Sequence, residues 1–345
     1  MAYSTITKPS LHFNTVLYSG NSSTNNITGV GFQPDWLWIK ARNYGENHVL
    51  YDAIRGVTKQ LYSNTSGSES TNATALTAFA SDGFNLATSN GNTNVNVTNF
   101  VSWNWKANGS GSANTDGSIT STVSANTTAG FSIVKFTANG SNNDGIGHGL
   151  GVAPKIIIYK RTDSTGPWYW VYKYVDGTLD YLILNDTNVK ADLTLGTYGF
   201  STSTTFTNLG FGNTHNMIAY CFAEKTGYSK FGSYVGNGNA DGTFVYTGFK
   251  PAFVLVKNTQ QAADNWFIWD NKRPGYNQIQ KYLRANLNNA EADSSSFAID
   301  ILSNGFKVRA STGAINNNGE TMIYMAFAEE PLVANVGSGI PATAR

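Results

Sequence analysis

Two acidic residues recur at the same place in this chain, each four positions into an aromatic run. Asp52 precedes Arg55, and Asp270 precedes Arg273, both as Asp-x-x-Arg. Two carboxylates several ångströms apart are the minimum that glycoside hydrolysis requires, one acting as acid and the other as base or nucleophile. Repetition argues for the other role these residues can play. An active site breaks internal symmetry, whereas a turn-bracing ion pair is copied with the fold. Such a pair contributes only about 0–1 kcal/mol when exposed. Glu224 and Glu329 recur in the same manner, closing Phe222-Ala223-Glu224 and Phe327-Ala328-Glu329. No catalytic residue is assigned from either pair.

The remaining candidates are weaker. His12, His48, His148 and His215 share no metal-ligand spacing. Gly147-His148-Gly149-Leu150-Gly151 does not make a nucleotide-binding Gly-x-Gly-x-x-Gly, and no Gly-x-Ser-x-Gly elbow is present. Cys221, the single cysteine, lies in the apolar run Met217–Phe222 and reads as a buried inert thiol. Asn142-Asn143-Asp144-Gly145 and Asn237 to Gly242 could offer oxygen ligands to calcium, but neither has EF-hand spacing. Asx-turns are the expected role there, with no metal and no cofactor. Aromatics are the last handle. Stacked indole rings hold sugars by their apolar faces, which makes Trp168, Trp170, Trp266 and Trp269 the candidate carbohydrate-binding residues. The competing expectation is that these rings fill a core or an interface.

Composition narrows the functions further. Among 345 residues, 23 Lys and Arg nearly cancel 22 Asp and Glu, so no clustered basic surface for nucleic acid is expected. The N-terminal stretch lacks an apolar core of the signal-peptide kind, and no apolar run is long enough to span a membrane. Thirty-five glycines, with abundant Tyr, Phe and Trp, suit twisted sheets joined by tight turns.

The elements that carry these residues are written three times. Gly31 to Lys40 contains a proline, five mostly apolar residues and a lysine, and returns at Gly151–Lys160 and Gly248–Lys257. Pro34, Pro154 and Pro251 are expected to start a strand buried on both faces, and Lys40, Lys160 and Lys257 to end it in water. An aromatic strand follows at His48–Asp52, Trp168–Tyr172 and Trp266–Asp270, with Asp-x-x-Arg lost in the second copy. Leu-x-x-Asn then recurs at Leu61–Asn64, Leu182–Asn185 and Leu283–Asn286. Gly-Phe opens another strand at Gly83, Gly199 and Gly305, and an apolar strand closes each copy.

The predicted fold is all-β, with three tandem related sandwich units of jelly-roll or lectin-like type. Their boundaries are a leader at 1–11, units at 12–107, 130–226 and 227–330, a Gly/Ser/Asn-rich linker at 108–129, and a tail at 331–345. The copies differ most at the Tyr44–His48 loop, across Asp163–Tyr174, and in an insertion at Pro274–Lys281. Specificity is expected where the copies differ.

Phe32-Gln33-Pro34-Asp35-Trp36-Leu37-Trp38-Ile39-Lys40, Ser81-Asp82-Gly83-Phe84 and Trp103-Asn104-Trp105-Lys106 resemble a family of marine bacteriophage virion proteins, described as tail-fibre or structural proteins. The resemblance continues through Gly147–Lys155, Ile218–Glu224 and Gly227–Tyr234, nearly the whole chain. It implies a virion surface protein, as fibre, tail component or capsid decoration, made in the host cytoplasm without a signal peptide. It also implies contacts with other virion subunits, self-association as a homotrimer, and attachment to a host-surface glycan. It brings no catalytic residues, and the expectation is no enzymatic activity, no nucleic-acid binding and no membrane insertion. The alternatives are a carbohydrate-active depolymerase or glycosidase, and a free lectin-like carbohydrate-binding module.

Overall fold

The protein is all-β, as the sequence predicts. The computed structural model describes residues 4–332 apart from 89, 143, 194–199, 210–213 and 312. One six-strand arrangement accounts for most of it, and it occurs three times. In the first large sheet the order across the sheet is Phe13–Ser19, Asn99–Trp105, Trp36–Ala41, Val49–Asp52, Lys59–Tyr62 and Ser70–Thr71. In the second it is Phe131–Ala138, His215–Phe222, Ile156–Arg161, Tyr169–Tyr172, Asp180–Ile183 and Ala191–Asp192. In the third it is Ser229–Val235, Thr321–Pro331, Phe249–Asn258, Phe267–Asp270, Lys281–Arg284 and Ala292–Asp293. All these pairings are antiparallel, so the last strand of each copy inserts between the first strand and the proline-to-lysine strand.

Two faces of each large sheet are buried, against different partners. Leu37, Ile39 and Ala41 pack on the small sheet of their own copy, Asn25–Ile27, Gly83–Leu86 and Leu76–Ala80. Ile157 and Tyr159 pack toward the strands Gly145–Gly147 and Thr205–Thr207, and Val254 and Val256 toward Phe244–Tyr246, Gly305–Val308 and Ile299–Leu302. The alternate side chains, Trp36 and Trp38, Ile156 and Ile158, Phe253 and Leu255, all enter one central core. Because side chains alternate along a strand, the near-continuous apolar run of the repeat is the signature of this double burial. The three large sheets are thus fused into one body around a shared, aromatic-rich core. Trp36 stacks on Tyr220, with ring centroids 4.5 Å apart, and Phe13 lies 5.2 Å from Phe327.

Glycines explain why the repeat opens as it does. Gly31, Gly151 and Gly248, three residues before each proline, all have φ between 71° and 87°, a conformation that only glycine adopts at little cost. Gly83 and Gly305 serve a second need: a Cβ there would collide with the carbonyl oxygens of Ile27 and Val245 in the adjacent small-sheet strand.

Three expectations need correction. Residues 108–129 are no linker, because Ser112–Asn114 and Ser121–Asn126 pair on to Phe131–Ala138 and extend the second large sheet to eight strands. Glycine and serine mark tight turns there, not slack. The leader is tied to the body: Ile6 joins the central core and Pro9 is buried in a short 3-10 turn, Pro9–Leu11. Pro34 and Pro154 do precede their strands, but Pro251 lies inside one, at a break in register of Phe249–Asn258 against Thr321–Pro331. A proline tolerates that place because a bulge does not demand its missing N–H. Finally, Lys40, Lys160 and Lys257 do not end in water: all three are fully buried. They occupy the next inward-facing position after the central-core pair, which puts them in the seams between sheets. Of the tail, Pro331 ends the last strand and residues 333–345 lie outside the described residues, as does Gly199.

Candidate functional site

The repeated polar residues meet at the seams. Asp270 lies opposite Phe253 in the third sheet, and its Oδ2 accepts from Arg273 Nε at 2.6 Å. The same oxygen accepts from Trp103 Nε1 of the first copy at 3.1 Å, and Oδ1 accepts the main-chain N–H groups of Lys272 and Arg273. Arg273 also donates to the Ile268 carbonyl and to Glu291. Asp52 repeats this arrangement: it accepts from Arg55, and from the Tyr220 hydroxyl of the second copy at 2.8 Å. Arg55 donates on to the Leu50 carbonyl and Glu69. All four side chains of the two Asp–Arg pairs are buried. The turn-bracing role stands, and the pairs that fill it are buried. Burial by itself would lower the Arg55 pKa, but the Asp52 charge and hydrogen bond outweigh it and raise it; burial, with the same charge, raises that of Tyr220, so both remain protonated. Each carboxylate is fully occupied by fixed donors, which is poor preparation for acid–base work on a substrate.

The third seam carries neither partner. Register places Asp52, Tyr172 and Asp270 at one position, and Trp103, Tyr220 and Met325 at another. The second copy therefore loses its acceptor where the third copy loses its donor. Keeping one alone would strand a buried polar group at a cost of about 1–3 kcal/mol. The missing Asp-x-x-Arg of the second copy thus coincides with a missing donor in the third, although the Tyr172 hydroxyl in its place is itself buried with no hydrogen-bond partner among the described residues.

Leu-x-x-Asn is explained. Asn64, Asn185 and Asn286 accept the main-chain N–H of His48, Trp168 and Trp266 at 2.9, 2.8 and 3.0 Å. The Trp168 indole then donates across a seam to the Tyr62 carbonyl, and Trp266 donates to that of Ile183. At the equivalent place His48 turns inward and accepts from Trp38 Nε1 at 2.8 Å. Burial holds its pKa well below the ordinary value, so the imidazole is neutral. The candidate sugar-binding rings are thus core and seam residues. Trp168, Trp170, Trp266 and Trp269 are at most 1% exposed, leaving no ring face for a saccharide.

The three buried lysines cap carbonyls at the same seams. Lys40 donates to Ala41 and Tyr44, Lys160 to Gly166 of its own copy and Ser66 of the first, and Lys257 to Asn258. Desolvation lowers all three pKa values to about 8. Main-chain bonds complete each seam: Glu69 N–H to Thr162 O, Lys190 N–H to Thr259 O, and Glu291 N–H to Arg42 O. First to second, second to third, third to first, the contacts close a ring.

Other flagged residues are local. Glu224 pairs with Lys155 and Glu329 with Lys250. His148 accepts from the Leu150 N–H, His215 contacts Asp163, and His12 lies against Asn126. Cys221 is buried, and burial pushes its thiol pKa up. Asn139 and Asn237 form Asx-turns, and Asp241 is taken by Lys307 and Arg309. Asn143 lies outside the described residues. Among the described residues no three His, Cys, Asp or Glu side chains gather as a metal site.

Two surface clefts lie outside these locks at equivalent places. One, of about 280 Å³, is lined by Arg55, Lys59 and Glu69 with Lys135, Thr162 and Asn216. The other, of about 380 Å³, is lined by Arg273, Tyr276, Gln278, Gln280, Lys281 and Asp293. The second contains the Pro274–Lys281 insertion, the feature that sets the third copy apart.

Taken together, the fold and its seams define an all-β protein whose recurrent charged and aromatic residues lock sheets to one another. The chain belongs to the family described as a domain of unknown function, DUF7483, which matches residues 8–331. No curated protein and no solved structure matches it.

Proposed function

We propose that this protein is a structural component of a bacteriophage virion surface, as fibre, tail component or capsid decoration, acting through protein–protein contacts and not through catalysis. The observation that carries the reading is the closed ring of seams. The recurrent Asp–Arg pairs, strand-end lysines and tryptophans are committed to the core and the seams between sheets, which suits a part whose task is to be rigid. The resemblance of Gly31–Lys40 and its companion motifs to virion proteins supports the location. Self-association as a homotrimer belongs to the same proposal. The inner faces of all three large sheets are already used within one chain, so copies would meet through outer surfaces or open edge strands. Phe13–Ser19 and Ser229–Val235 are such edges, whereas the equivalent Phe131–Ala138 is covered by Ser121–Asn126. Gold-labelled antibody against the protein, imaged on purified particles by electron microscopy, tests the location. Labelling at a fixed site on the particle is expected, and particles free of label and of its peptides by mass spectrometry would refute it. Light scattering of the purified chain tests the trimer against a 37.2 kDa monomer.

A further inference from the structure

The cleft of the third copy differs from that of the first in one respect: apart from Arg273, the polar side chains that line it are held by no protein group among the described residues. At this place in the first copy, Lys59 is held by Thr71 and Glu69. In the second, the residue at this place is Asp180, held by Lys190, which Asp176 and Asp192 also surround. In the third, Lys281 and Asp293 stand opposite one another in register, yet among the described residues neither has a side-chain hydrogen bond or an ion pair. The side chains of Tyr276, Gln278 and Gln280 on the same cleft likewise make no hydrogen bond to a described residue. Arg273 at its floor is satisfied by Asp270 and Glu291.

The insertion that supplies these groups is held firmly. Ile279 is buried and exchanges main-chain hydrogen bonds with Ile299, and the Asn277 side chain bonds both the N–H and the carbonyl of Ile301. These anchors add the loop to the edge of the small sheet and hold Tyr276 outward, 73% exposed. A large aromatic kept out of the core by a pinned loop, next to unpartnered amides and one charge of each sign, is a built surface.

We propose that this cleft binds a neutral saccharide. Sugar hydroxyls both donate and accept: Gln278 and Gln280 offer both functions, Asp293 accepts and Lys281 donates. The Tyr276 ring supplies the apolar face on which a pyranose stacks. Lys281 and Asp293 balance, and Arg273 is neutralised within the protein, so no net charge selects an anion. The volume of about 380 Å³ falls at the small end of the roughly 300–1,000 Å³ typical of ligand pockets, enough for one or two sugar rings. This site is separate from the buried tryptophans, and the proposal stands apart from the virion location, since binding is measured on the isolated chain.

The test uses the full chain on a printed array of neutral, N-acetylated and uronate oligosaccharides, followed by titration calorimetry with those retained. Binding to at least one neutral oligosaccharide is expected, weakened about tenfold by Tyr276→Ala and far less by Tyr276→Phe. Lys59→Ala, in the equivalent cleft of the first copy, should leave binding unchanged. Melting temperatures near that of the parent would show that the variants fold. Absence of neutral-saccharide binding, retention only of uronates, or undiminished binding by folded Tyr276→Ala would overturn the proposal. None of these results bears on the electron-microscopic test of location.

Discussion

At the scale of single residues, the seams turn on a few donors that reach a buried carboxylate from the neighbouring copy. Trp103→Phe and Tyr220→Phe each remove one donor from Asp270 or Asp52 and should destabilise the protein by about 1–3 kcal/mol, read as a fall in denaturation midpoint. Met325→Leu at the equivalent place meets no carboxylate and should cost less than about 1.5 kcal/mol. The lysines give a pH signature. Their folded pKa of about 8 lies below the ordinary value of 10.5. Between those values the unfolded chain binds more protons, so stability rises with pH over that window. Above about pH 10 the buried tyrosines oppose the trend, because the pKa values of Tyr51, Tyr220 and Tyr228 are raised and the unfolded chain ionises first. Urea midpoints measured from pH 7 to 11 should therefore peak between about 9 and 10. Lys160→Met should reduce the rise by about a third, one of three equivalent groups. A flat profile from pH 8 to 10 would refute the assignment.

At the scale of elements, the hairpin Ser112–Asn114 with Ser121–Asn126 makes a sharp distinction between composition and structure. A glycine/serine linker is cut readily by proteases, whereas paired strands resist. Limited proteolysis by a broad-specificity enzyme should spare residues 108–129, and early cleavage there would contradict the pairing. This segment also shows what the sequence conceals. The proline-to-lysine strand, the aromatic strand, the Asn marker and the closing strand were all legible, because repetition and apolar runs report burial directly. The register between copies was not. Asp52 and Tyr220 are far apart in sequence, and nothing local to either declares that one bonds the other. The lysines misled for a related reason. A charged residue ending an apolar strand ordinarily marks the water boundary, and only the neighbouring copy makes that position interior. The tryptophans followed the same logic, since a ring that stacks on sugar and a ring that seals a seam have the same type and spacing. What the comparison of copies did expose was the Pro274–Lys281 insertion, where a departure from the repeat produced the cleft of the third copy.

At the scale of the whole molecule, the central core removes the independence that three tandem units would otherwise have. Trp36, Trp103, Phe131, Tyr220, Phe253 and Phe327 belong to one cluster, and no copy can bury its own share alone. An isolated segment 130–226 would expose Ile156, Ile158, Trp168, Trp170 and Tyr220, and aggregation or a molten state is expected of it. Differential scanning calorimetry of the intact chain tests this account most directly. A single transition with equal calorimetric and van't Hoff enthalpies is predicted. Resolution into two or three independent transitions would show that the copies are separate beads, and would contradict the shared core.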